Sequence, residues 1–172
     1  MINSDRKAKV IFVPVYKSYA DPVMLHYIHH LQDIELGFTF GNYEDSPKIH
    51  LIDKFLKATG TFLIRRDPQN SLSKKTVSSI NPEVMNYVYQ SLLEEVVSAN
   101  PITTLFQNDE RIRSGKYSYP LYPDNSIRLL LKAYQRLQKY KYNIHLVPVC
   151  MNYDRLFDAS YLANEMVSGK FE

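Results

Sequence analysis

At 172 residues the chain suits one domain that buries roughly 70% of its unfolded surface, and 45% apolar with 23% charged residues excludes a disordered polymer. A net charge of +3 is too small to argue for nucleic acid, although clustered cations could hold a small anion. Cys150 is the single cysteine, which excludes an internal disulfide, and no apolar run approaches the ~18 residues of a membrane span. Met1 to Lys9 is polar with only a short strand behind it, unlike a signal peptide.

Lys9 to Val15 is almost continuously apolar and rich in β-branched residues, the pattern of a strand buried on both faces. Asp21-Pro22 then reads as a helix start, Asp as N-cap and Pro at the first helical position, with Met24, Ile28 and Leu31 on one face. Leu36 to Phe40 predicts a second strand, stopped by Gly41-Asn42. Ser46-Pro47 opens a helix with Ile49, Ile52, Phe55 and Leu56 at helical spacing. Thr61 to Ile64 predicts a short third strand ending in Arg65-Arg66, and Asp67 to Ser79 a polar loop.

Asn81-Pro82 opens the clearest helix, whose apolar positions run from Val84, Met85 and Val88 to Leu92, Leu93, Val96 and Val97; Asn100-Pro101 ends it. Ile102 to Phe106 predicts a fourth strand, and Gln107 to Asn125 a loop rich in charge, Gly, Tyr and Pro. Ser126 begins a helix with Ile127, Leu130, Tyr134 and Leu137 inward. Ile144 to Val149 predicts a fifth strand, and Tyr161 to Met166 a last helical turn or two. Strands alternating with helices predict one α/β domain over residues 1–172, with a mostly parallel sheet and helices on both faces. Polar clusters follow strands one, three, four and five, where open α/β sheets gather ligands.

Four of these stretches carry a pattern. Tyr16-Lys17-Ser18-Tyr19-Ala20-Asp21 resembles the first motif of the glycerolipid acyltransferases, His-x4-Asp, in its His-Arg/Lys-Ser-Tyr-x-Asp form. Gly60-Thr61-Phe62-Leu63-Ile64-Arg65-Arg66 resembles the second, Gly-x-Phe-Phe-Ile-Arg-Arg. Phe106 to Lys116, reading FQNDERIRSGK, lies where the third, Phe-x-Glu-Gly-Thr-Arg-Ser-Arg-Ser-Gly-Lys, should be. Val147-Pro148-Val149-Cys150-Met151-Asn152-Tyr153-Asp154-Arg155 resembles the fourth, Val/Ile-Pro-Ile-x-Ile-x-Tyr-Asp/Glu. Their order and spacing agree along nearly the whole chain. The doubled Arg and the Asn-Tyr-Asp ending resemble the glycerol-3-phosphate and dihydroxyacetone-phosphate acyltransferase branch.

The resemblance implies transfer of an acyl group from a thioester to a hydroxyl of a phosphorylated three-carbon substrate. It implies Tyr16 and Asp21 at the catalytic positions, where a His acts as base and its Asp orients it. It implies Arg65, Arg66, Asn108, Arg111, Arg113 and Lys116 around the substrate. No cofactor is implied beyond acyl-CoA as co-substrate.

Two departures fall on the chemistry. At Tyr16 a phenol with an unperturbed pKa of about 10 stands in place of imidazole, so near pH 7 it does not readily accept a proton. In the third motif Asn108-Asp109-Glu110 replaces Glu-Gly-Thr, removing a carboxylate and a glycine. The cations remain. The expectation is therefore a degenerate domain acting as a structural subunit or as a lipid- or phosphate-binding module, with phosphate-bearing lipid or acyl-CoA as ligand. The alternative is an active acyltransferase. The resemblance further implies peripheral membrane contact at a mitochondrial or other organelle surface; a degenerate domain would serve within a multiprotein assembly, and the small net charge argues against nucleic acid.

Plainer readings stand beside these. Tyr16 reads as a packed aromatic with its hydroxyl hydrogen-bonded in preference to a catalyst. Arg65-Arg66 could be a solvated strand end, and Arg111, Arg113 and Lys116 an ordinary basic loop. His26 and His30 have metal-like spacing on a helix with His29 between them, but no carboxylate or Cys completes a set. Cys150 beside His145 resembles a dyad, yet its place in the fourth motif predicts core packing. Tyr117, Tyr119 and Tyr122 near prolines could contact a partner.

Overall fold

A near-continuous apolar run such as Val10-Ile11-Phe12-Val13 needs cover on both faces, which only a sheet sandwiched between helices provides. The computed structural model describes residues 8–18, 20–42, 50–64, 82–106, 126–140, 142–155 and 158–168. Its strands are β1 (Ala8–Pro14), β2 (Phe38–Asn42), β3 (Thr61–Ile64), β4 (Ile102–Leu105) and β5 (Asn143–Val149). They form one sheet in the order β3-β2-β4-β1-β5, parallel at every pairing. The helices are α1 (Asp21–Leu31), α2 (His50–Ala58), α3 (Pro82–Ala99), α4 (Ser126–Leu137) and α5 (Ala159–Ser168). The α/β class expected from the sequence is the one observed, with a wholly parallel sheet.

Alternation along β1 assigns the faces. Ile11 is fully buried in a cluster with Tyr89, Leu93 and Val97 of α3 and Leu129, Leu130 and Ala133 of α4. Phe12, pointing the opposite way, lies against His29 of α1 with ring centroids 4.7 Å apart. His26 of α1 meets Phe55 of α2 edge-on at 6.4 Å. So α1 and α2 cover one face, α3 and α4 the other.

Element ends follow local chemistry. Asp33 (φ 50°) terminates α1 in a left-handed residue, with Asp33 N–H bonding His30 O and Ile34 N–H bonding His29 O, the paired bonds of a Schellman motif. Gly60 (φ 80°) turns the chain from α2 into β3. Lys9 is buried, and its Nζ donates to the Ser98 and Asn100 carbonyls at the end of α3. A cation there satisfies carbonyls that the helix cannot, while burial pushes the Lys9 ammonium below its usual range.

Several boundaries and faces differ from expectation. Gly41-Asn42 does not stop β2: both residues pair with β3, Gly41 beside Leu63 and Asn42 beside Ile64. On α1, Ile28 and Leu31 are exposed, while Leu25, His26 and His29 are buried. The helix is apolar around most of its circumference, so spacing could not select a face; docking on Phe12 and Phe55 did. On α4 the inward set includes Leu129 and Ala133 beside Leu130 and Leu137, and Ile127 and Tyr134 are only partly buried. Val84 and Val88 of α3 are exposed. α5 is longer than the expected turn or two. β5 sits at the sheet edge and is largely exposed, and Cys150, expected in the core, is exposed just beyond it. An edge strand has one neighbour only, which leaves its outer side open. Ser46, Pro47, Ile49 and the loops 67–79 and 107–125 lie outside the described residues.

Candidate functional site

Because the strands are parallel, β1, β3, β4 and β5 all deliver their following residues to one edge of the sheet. β1 and β4 are neighbours, yet the helix after β1 lies on one face and the helix after β4 on the other. Such a switch point opens a crevice between the two strand ends, where doubly wound sheets bind ligands. Tyr16 follows β1 and Phe106 follows β4, and their rings meet there at 5.2 Å. Tyr16 is 7% exposed, so it is a packed aromatic at this strand end.

Asp21 is 0% exposed and organises the turn between β1 and α1. Its Oδ2 accepts the Lys17 N–H at 2.6 Å and the Ser18 N–H at 2.9 Å. Its Oδ1 accepts the Tyr153 hydroxyl at 2.5 Å. The N-cap expectation is corrected by this geometry. Ala20 is the N-cap and has no side-chain cap bond, while Asp21 is the first helical residue. Its carboxylate reaches back and closes the preceding turn. Ser18 completes the turn, its Oγ accepting the Ala20 N–H at 3.1 Å.

Tyr153 is the partner that sequence reading missed. It appeared only as a retained motif position. Burial, and then its hydrogen bond to the Asp21 carboxylate, holds its phenol well above the usual tyrosine range, so it remains a proton donor to Asp21. Beside it, Lys17 Nζ donates to Asn152 Oδ1 at 3.0 Å and to Cys150 Sγ at 3.3 Å. Lys17 is thus tied to the residues after β5, not aimed at Tyr16.

Among the described residues no imidazole hydrogen-bonds Asp21. His26 Nδ1 donates to Pro22 O at 2.5 Å, and its Nε2 and that of His29 are buried without a hydrogen-bond partner. Burial, then the neighbouring His26, pushes His29 below its ordinary pKa of 6.5. His29 therefore contributes stability in full above about pH 6.5, lost as pH falls through its folded pKa, because the unfolded chain takes the proton first. Melting temperature should drop on acidification below pH 6.5, and His29→Leu should flatten that drop. Equal acid slopes for the two proteins between pH 7 and 5 would contradict this.

Of the expected site residues, the structure brings Tyr16 and Asp21 to the same strand end. Arg65, Arg66, Asn108, Arg111, Arg113 and Lys116 lie outside the described residues, as do Tyr117, Tyr119 and Tyr122. Among the described residues no group of three or more His, Cys, Asp or Glu gathers as a metal site, and no helix is long and apolar enough to cross a membrane.

The fold and this turn define a doubly wound α/β protein with a polar turn, anchored by a buried carboxylate, at its switch point. Compared with family models and with curated proteins, the sequence matches none.

Proposed function

We propose that this chain is a glycerolipid acyltransferase-like domain whose proton-removing step is impaired, and that it serves as a structural subunit or a lipid- or phosphate-binding module in a membrane-associated assembly. The observation that carries this reading is the engagement of Asp21. In a His-x4-Asp site that carboxylate would orient an imidazole. Here its oxygens accept two backbone N–H groups and the Tyr153 hydroxyl, and the residue at the histidine position is a buried tyrosine packed on Phe106. The loss of a positioned base is worth about 10²–10⁴-fold in rate. Anion binding needs only cations at the strand ends, and Arg65-Arg66 directly follow β3.

The test incubates the purified chain with palmitoyl-CoA and either glycerol 3-phosphate or dihydroxyacetone phosphate. No acyl transfer to either alcohol is expected, while glycerol 3-phosphate raises the melting temperature by binding the folded state. Transfer at ordinary enzyme rates that Tyr16→Phe abolishes would overturn the reading in favour of an active transferase. A melting temperature indifferent to phosphate and acyl-CoA would leave a protein-interaction domain instead.

A further inference from the structure

α3 and α4 lie side by side on one face of the sheet, tied across their outer surface by the Glu94–Arg136 ion pair at 3.3 Å. Because every strand is parallel and each helix runs back against them, the two helices point the same way. Their charges are segregated. α3 carries Glu83, Glu94 and Glu95 and no Lys or Arg. α4 carries Arg128, Lys132 and Arg136 and no Asp or Glu, and the turn after it adds Lys139. A single ion pair between neighbouring helices does not require so complete a separation.

The same outer face is apolar between these charges. Val84, Tyr87 and Val88 of α3 and Leu131 of α4 are exposed. Scattered surface hydrophobics are ordinary. Here Val84 and Val88 stand one turn apart, on the side of α3 turned away from the buried Leu93 and Val97, with Tyr87 beside them. Counted back from the Glu94–Arg136 bridge, Val88 and Leu131 lie at nearly one level, each less than two turns away. The pair thus presents an acidic half, a basic half and an apolar patch spanning both.

We propose that this face binds a second copy of the chain about a two-fold axis parallel to the two helices. A closed dimer joins through one self-complementary patch. Rotation about that axis lays α3 of each copy over α4 of the other and keeps every residue at its own level. Val88 then meets the level of the partner subunit's Leu131, and Glu95 falls within one turn of the partner subunit's Lys139. The other two-fold, across the helices, would set α3 on α3 and α4 on α4, with like charges opposed. An anionic membrane surface would meet the cations of α4 but also the carboxylates of α3 beside them. Apolar contacts supply the affinity here, and the charges fix the orientation. The dimer goes beyond the reading given above and does not depend on it.

Sedimentation equilibrium of the purified chain over a wide concentration range tests this. A reversible monomer–dimer equilibrium is expected, weakened by added salt because the charge pairs at its rim are screened. Val88→Asp and Leu131→Asp each change an exposed side chain, so far-UV circular dichroism should match that of the native chain. Each should weaken the dimer by about tenfold or more, since a carboxylate would be buried unpaired in the seam. Glu95→Lys should weaken it several-fold, and adding Lys139→Glu to that variant should restore it, because the pair is then reversed. A chain that stays monomeric at every concentration would overturn the proposal. So would a dimer indifferent to both Val88→Asp and Leu131→Asp, or a Glu95→Lys defect that Lys139→Glu leaves unrepaired, since either places the contact on another surface. The readout is mass, so a negative result here leaves the acyl-transfer and ligand-melting assays unaffected.

Discussion

Asp21→Ala is expected to lower the unfolding free energy by about 3–5 kcal/mol, the range for removing one partner from a buried polar cluster. The carboxylate is fully buried and accepts from Lys17 N, Ser18 N and the Tyr153 hydroxyl. Alanine strands all three donors where water cannot easily follow. For a domain of this size the melting temperature should fall by roughly 10 °C. Asp21→Asn should not rescue it, since one amide oxygen can serve either the backbone pair or Tyr153 but not both. Tyr153→Phe should cost less, about 1–2 kcal/mol, because the carboxylate keeps its backbone donors. A double-mutant cycle by urea unfolding should return a coupling within roughly 0.5–3 kcal/mol for Asp21 and Tyr153. Strict additivity, or a loss below 1 kcal/mol for Asp21→Ala, would show that the carboxylate does not hold the turn.

The second large effect concerns the joint between the two halves of the sheet. A Cβ on Gly37 would lie 2.4 Å from the backbone oxygen of Ile102 and 2.6 Å from its carbonyl carbon. Backbone cannot rotate away, so β2 and β4 must separate at their entry. Gly37→Ala should cost about 3 kcal/mol, at the upper end of overpacking penalties. Gly60→Ala is the control. Its Cβ would meet the Phe38 ring at 2.9 Å, a side chain that can yield, and the remaining cost is the φ of 80°. That left-handed strain is about 1–2 kcal/mol. Urea midpoints should therefore rank wild type, then Gly60→Ala, then Gly37→Ala; the reverse order would refute the close-approach argument.

The tyrosine at position 16 gains its meaning from these neighbours. Against the motif it resembles, a phenol at position 16 says only that no imidazole stands there. In the structure the phenol is buried and tilted against Phe106, and the carboxylate five residues on is engaged by another tyrosine.

The amino-acid sequence by itself determined the alternation of strands and helices, the limits of α3 between Pro82 and Asn100, the start of α4 at Ser126, and the class of sheet. These depend on neighbours within one or two turns: prolines that cannot donate, glycines that tolerate positive φ, and apolar runs that must be covered. Tertiary structure alone decided which side of α1 faces inward, since that helix is apolar on most sides and only the aromatic surfaces of Phe12 and Phe55 distinguish them. It decided that β5 pairs beside β1 at an open edge, which exposes Cys150 against the expectation of a core thiol. It also decided the partner of Asp21, a hydroxyl 132 residues away. No local periodicity encodes such a contact, because it exists only after β5 has paired with β1 and carried Tyr153 to the strand end where Asp21 waits.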